Sequence, residues 1–430
     1  MQPTQAVGRS EWPGTGAPGP EARVVALCPN SLLALLGLTS VTYVAYLGSL
    51  SALLFLACGL WLILRRPRAA LSETRRYFWV QGLVGWCLLS VLWSDYPALT
   101  LRSAVQLGLT FAIAVAMATR LSPRRLLLVV FVAISLAVVG SLLFGRVRID
   151  GIWFGVFGSK NAFAQTMSIY ILAALALLLD PAMPRLWRMA GAAGLVLGVP
   201  MLMNAQSAGA LLTTVVVFVL MLGLIAVRRM PPIARLVAGT LGLLVAVLVV
   251  LLLAQFQSQL TALLLETTGK DMTLTGRTEL WQVALQELAR APLTGQGYRA
   301  VWVQGNPLAE EMWARFDIAA RSGFHFHNTF LSNAVEIGLI GIAIQIGLFL
   351  SAVWLTLRWS LRAPGGASLF FAAFMLRQLI LCMVEVVVYA QFDLASILSI
   401  AALILGLRAR DAARSSAARH RPNAEPAVMT

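Results

Sequence analysis

Charge is what this chain most lacks. Only 12% of its 430 residues are Asp, Glu, Lys or Arg, against 59% that are apolar. A soluble globular domain carries about a quarter of its residues as charges, so that class is excluded. Acidic residues are the scarcer kind, 18 against 33 basic, and no cluster of them suggests an oxygen-lined metal site. Cysteine is limited to Cys28, Cys58, Cys87 and Cys382. All four lie in apolar runs at no metal-ligand spacing, which argues against a disulfide framework or a zinc site and for small core residues. Histidine is limited to His325, His327 and His420, so candidates for proton transfer near neutral pH are few.

What is present in quantity is apolar sequence. Mean hydropathy is +0.81, and the apolar runs fall at about 25–44, 46–64, 77–93, 101–118, 126–144, 162–179, 189–204, 209–227, 236–256, 337–357, 368–388 and 394–407. A span needs roughly 20 apolar residues, so these runs predict an all-α polytopic membrane protein with about twelve transmembrane helices. The basic residues sit in short clusters between the runs, such as Arg65-Arg66-Pro67-Arg68, Arg124-Arg125 and Arg228-Arg229. No continuous stripe could follow a nucleic-acid backbone. With both termini cytoplasmic, the inner loops and the two tails hold 22 of the 33 basic residues, as the positive-inside rule requires.

The expected organisation is a disordered Pro- and Gly-rich cytoplasmic tail at 1–23, spans 1–9 over 24–256, and a large extracytoplasmic loop at 257–336. Spans 10–12 follow over 337–407, and a basic cytoplasmic tail over 408–430. Within the loop the apolar spacing predicts a helix from Thr275 to about Arg290, stopped by Pro292 and followed by a turn at Gly295 and Gly297. A second helix is expected from Asn328 into the tenth span. Two charges, Arg377 and Glu385, lie in the eleventh run. They read either as a structural polar network or as cavity lining.

The loop is the informative part. It carries Gly276-Arg277 with Trp281, then Pro292-Leu293-Thr294-Gly295-Gln296-Gly297-Tyr298-Arg299, then His327-Asn328 with Leu331, Glu336, Gly338 and Gly341. Arginines, a glycine-rich turn and a His-Asn pair beside a membrane span suit an enzyme that grips a phosphorylated lipid and moves a proton. His420 falls in the cytoplasmic tail, which leaves His325 and His327 as candidate bases.

These motifs, with Leu92-Trp93-Ser94-Asp95-Tyr96-Pro97 before Arg102 and Gly158-Ser159-Lys160-Asn161, resemble the bacterial O-antigen ligase and polysaccharide polymerase superfamily with its Wzy-C region. The resemblance implies a GT-C-like glycosyltransferase that acts without a metal or other cofactor. Its donor would be an oligosaccharide on undecaprenyl diphosphate, and its acceptor a lipid-linked unit. The enzyme would sit in the inner membrane with a periplasmic site, among membrane lipids and polysaccharide export and chain-length proteins. His327 and Arg277 match the catalytic positions. Arg299, Lys160, Asn161, Arg102, Arg321, Asn328 and Glu336 are the implied substrate-binding set, because arginine's planar fork suits phosphate oxygens. Where many members carry Ser-Arg-Gly after the seventh span, this chain has Ser207-Ala208-Gly209. That departure, the Lys160-Asn161 motif and the Gly297-Tyr298-Arg299-x-x-Trp302 pattern favour an exopolysaccharide polymerase. The alternatives are an O-antigen ligase acting on lipid A core and a transporter or flippase without chemistry.

Overall fold

The computed structural model describes residues 28–149, 151–255, 274–321 and 323–419. The two tails' outer parts, His420 and the loop stretch 256–273 lie outside the described residues. The first half of the chain folds as α1 (Pro29–Thr42), α2 (Val44–Leu47), α3 (Ser49–Leu64), α4 (Pro67–Arg76), α5 (Gly82–Leu89), α6 (Pro97–Arg120) and α7 (Pro123–Phe144). A short antiparallel hairpin of β1 (Arg146–Val147) and β2 (Trp153–Gly155) leads into α8 (Lys160–Leu178). Then come α9 (Arg185–Asn204), α10 (Ala208–Arg228) and α11 (Pro232–Gln255), the loop helices α12 (Leu274–Arg290) and α13 (Pro307–Arg315), and finally α14 (Thr329–Arg362), α15 (Gly366–Leu381) and α16 (Leu394–Arg419).

Each apolar run carries helix among its described residues. Among the described residues six helices are long and apolar enough to cross a membrane, or seven if the bent pair α3–α4, with an angle of 97°, makes one span. The protein is therefore a multi-pass helical membrane protein. Phe111 of α6, Phe163 of α8 and Phe370 and Phe374 of α15 are fully buried at its centre. Val196, Met203, Leu212 and Val219 on α9 and α10 stay exposed, as lipid-facing side chains do.

The eleventh run differs from its expected form. α15 ends at Leu381, and residues 382–393 follow as turns and extended chain. Arg377 and Glu385 therefore do not share a helical face. The twelfth run begins a helix at Leu394, just after Asp393. The Asp393 carboxylate accepts the Ser396 N–H at 2.8 Å, which satisfies a first-turn donor that α16 leaves orphaned.

The expected loop helix is present as α12. It packs Leu280 and Ala284 into a small core with Val301, Met312, Phe326 and Val335. The glycine-rich turn has a structural partner that its spacing did not reveal. α14 is broken at Gly338, which has φ 65°. The segment 292–297 docks into the break. Gln296 N–H donates to Val335 O and Gly297 N–H to Glu336 O, both at 2.9 Å, while Leu339 N–H donates to Pro292 O at 2.8 Å. Trp86 Nε1 closes the set on Ile337 O at 2.7 Å. Val335 O, Glu336 O, Ile337 O and Leu339 N–H at the break are thus each paired, as buried backbone groups require.

No side chain fits at this junction. A Cβ on Gly295 would lie 2.5 Å from Glu336 carbonyl atoms, and one on Gly338 would strike the Leu293 carbonyl. Gly338→Ala is therefore expected to lower stability by at least about 1–3 kcal/mol, the usual cost of a strained left-handed residue. Thermal unfolding of the purified protein checks this, and an unchanged midpoint would contradict the interlock.

Candidate active site: a charged cavity at the helix ends

Two helix starts meet one chain crossing. Ser159 caps α8 by accepting the Ala162 N–H, which places Lys160 and Asn161 on its first turn. Ser207 precedes α10 but does not cap it. Its hydroxyl donates instead to Asn161 Oδ1 at 3.3 Å. Between these helix starts, α12 and the segment after α15 lies a cavity of about 360 Å³. Lys160, Asn161, Gln165, Gln206, Ser207, Arg277 and Glu385 supply its polar lining.

Glu385 is the hub. Its Oε1 accepts from Asn161 Nδ2 at 3.3 Å and lies 4.0 Å from Arg277 Nη2. Its Oε2 lies 3.6 Å from His327 Nδ1 and 3.8 Å from His325 Nε2. These last three are ion-pair distances, longer than hydrogen bonds. Glu385 lines the cavity and the two histidines stand beside it, so His327 reaches the cavity through the carboxylate.

The chain positions these groups by interlocked backbone contacts. Asn328 caps α14 by accepting the Phe330 and Leu331 N–H groups, each at 3.0 Å. Its amide donates to Met383 O, and Thr329 Oγ1 donates to Glu385 O at 2.6 Å. Trp281 Nε1 holds Phe326 O at 2.9 Å. Hydrogen bonds therefore tie the His-Asn segment to both the loop helix and the Glu385 segment. Arg377, fully buried, donates to Ser168 Oγ at 2.9 Å, to the Gln165 carbonyl at 2.8 Å and to Gln378. Gln378 in turn holds Val387 O at 3.0 Å. The two charges of the eleventh run thus divide the two roles open to them: Arg377 is a structural strut and Glu385 faces the cavity.

The other implied residues are distributed differently. Lys160, Asn161 and Arg277 line the cavity together. Arg299 and Glu336 meet one another, the Arg299 backbone N–H on Glu336 Oε2 at 3.0 Å, and neither lines the cavity. Arg321 pairs at the surface with Glu310, Nε to Oε2 at 2.9 Å. Arg102 is exposed on the first turns of α6, outside the cavity lining. Glu385 was missing from the implied binding set, and its only sequence signal was a carboxylate in an apolar run.

His325, His327 and Glu385 bring ligand atoms within 4.8 Å of one another and so form a candidate cation cluster. Two features of the donor set oppose that use. His325 Nδ1 accepts the His327 N–H at 3.1 Å, so in the neutral ring the proton sits on Nε2, the atom that would face a metal. Arg277 already supplies positive charge on the other side of the carboxylate. The balance of Lys160 and Arg277 against one carboxylate suits an anionic ligand.

Fold and cavity define a multi-pass membrane protein with a cationic pocket between helix starts. Residues 193–346 match the O-antigen ligase family, Wzy_C. The chain is 34% identical over 328 residues to the exopolysaccharide production protein ExoQ of Rhizobium meliloti strain 1021, spanning 74% of each protein. It belongs to the O-antigen ligase and polysaccharide polymerase family. A solved chain from a peptidoglycan synthase complex, described for its coordination of polymerization and crosslinking, aligns with 78% of this chain and 96% of its own at 19% identity and a TM-score of 0.39.

Proposed function

We propose that this chain is a polysaccharide polymerase of the inner membrane. It transfers a growing glycan from undecaprenyl diphosphate to a lipid-linked repeat unit, at a site on the periplasmic side of a twelve-span, GT-C-like bundle. One observation carries the reading: the cavity sets Arg277 and Lys160 beside Glu385, with His327 on that same carboxylate.

The chemistry follows from the charges. The acceptor hydroxyl oxygen bonds to the donor's anomeric carbon as the bond from that carbon to the phosphate oxygen breaks. The electron pair leaves with the diphosphate, whose added negative charge Arg277 and Lys160 stabilise. The hydroxyl proton passes to His327. The negative charge of Glu385, 3.6 Å from Nδ1, favours the ring proton on that nitrogen, leaves Nε2 as the base and steadies the imidazolium that forms. No metal is required for any of these steps.

The similarity to ExoQ, named for exopolysaccharide production, favours the polymerase over the ligase within the family. Partners of the exporting and chain-length kind belong to the same reading. The test is a reconstitution in EDTA. Purified protein given only lipid-linked repeat units, from cells lacking this chain, is expected to make a ladder of longer lipid-linked glycans. Transfer that appears only when lipid A core is added would establish the ligase instead. A strict need for added Mg²⁺ would overturn the metal-free mechanism, and passage of the lipid across vesicles without any transfer would overturn the enzyme.

A further inference from the structure

His325 has no role in the mechanism so far, yet its ring is as tightly placed as that of His327. Residue 326 between them points the other way. Phe326 is fully buried, its carbonyl accepts from Trp281, and its N–H donates to Ser332 Oγ at 3.3 Å. Side chains at 325 and 327 consequently emerge together toward Glu385, with ring centroids 4.2 Å apart and planes at 67°. Such an arrangement needs an unusual backbone. His327 sits at φ 49°, a left-handed conformation that L side chains seldom adopt.

The His327 N–H has one partner in this conformation, His325 Nδ1 at 3.1 Å. A side-chain acceptor two residues back makes a small closed turn that holds the left-handed residue in place. The same contact fixes the His325 tautomer. Nδ1 must offer a lone pair, so the ring proton is on Nε2, the nitrogen that lies 3.8 Å from Glu385 Oε2. Neutral His325 thereby shares the carboxylate without competing for its negative charge. Burial first, and then the charge of His327, push the His325 ring down to about 4, so it stays neutral when His327 takes up a proton.

We propose that His325 is a positioning residue for His327. Its Nδ1 locks the left-handed backbone that carries the base, and its Nε2–H braces the carboxylate that orients the base. This inference rests on His327 acting as the base. It assigns a role to a side chain that the loop's sequence offered only as the weaker of two histidines.

The roles of the two nitrogens can be separated by amides. In His325→Asn the amide oxygen falls at the position of Nδ1 and can accept the His327 N–H. In His325→Gln the amide reaches toward the position of Nε2 and leaves that N–H unpaired. Rates are measured on the full-length protein in lipid nanodiscs, with lipid-linked repeat units from cells lacking this chain. His325→Ala is expected to lower kcat about 10²-fold, the scale set by misplacing a catalytic group by about 1 Å, with KM for the donor unchanged. His325→Asn should recover most of the loss and His325→Gln little of it. If His325→Ala does not fold, the Asn and Gln variants decide the matter between them. Wild-type kcat in His325→Ala, or rescue by Gln equal to that by Asn, would overturn the proposal. His327→Ala run in parallel separates the two claims. An inactive His327→Ala beside a normal His325→Ala removes only the positioning role, whereas an active His327→Ala removes the base and this inference with it.

Discussion

His327→Ala is expected to abolish polymer formation while the protein still folds and inserts. The residue is the candidate base, and removing a general base costs about 10²–10⁴-fold in rate. Its structural load is light by comparison. The ring is about a quarter exposed, at 27%, and its Nδ1 has only the 3.6 Å approach to Glu385. The cap on α14 comes from Asn328, and the contact to the loop helix comes from Phe326 O, so both survive the substitution. Membrane yield and thermal midpoint should therefore stay near those of the wild type as the ladder disappears. Near-normal ladder from correctly inserted His327→Ala protein would reject the assignment.

Glu385→Gln should be nearly as damaging, for a different reason. Shape and one acceptor oxygen are kept. The charge is lost, and with it the preference for a proton on His327 Nδ1. An amide can turn its NH₂ toward that nitrogen and favour the tautomer with the proton on Nε2, which is useless as a base. The loss in kcat is then of the order seen when a base is held in the wrong tautomer, about 10²–10⁴-fold. KM for the donor should not rise, because Arg277 is released from its 4.0 Å approach to Glu385 and remains free to hold phosphate. Glu385→Asp keeps the charge and should lose less. A Glu385→Gln enzyme with wild-type kcat, or one whose defect lies wholly in KM, would remove the carboxylate from the proton-transfer apparatus.

Much of this molecule was legible in its residues because a bilayer imposes simple rules. A helix is the only way for an isolated span to pair its backbone, so scarce charge and long apolar runs determine helical, multi-pass architecture without reference to any contact. The loop helix ending at Arg290 and the cap at Asn328 were legible for a similar reason. Their signals, a 3.6-residue period, Pro292 and an Asn before an apolar stretch, act within one or two turns. Family membership was carried by motif order along the chain. Arg277, Lys160 and His327 came with it as candidates.

What only the tertiary structure decided concerns groups far apart in sequence. Nothing local announces that Pro292–Gly297 fills a break in α14 at Gly338, since each segment alone reads as an ordinary turn and an ordinary helix. Nor does any spacing relate Glu385 to His327, Arg277 and Asn161, which lie 58, 108 and 224 positions before it. Arg299 gives its backbone N–H to Glu336, and Arg321 pairs with Glu310. Sequence determined which elements form, because helix formation answers to neighbours three or four residues away. Charge pairing answers to distance in space, and that distance exists only once the helices have packed.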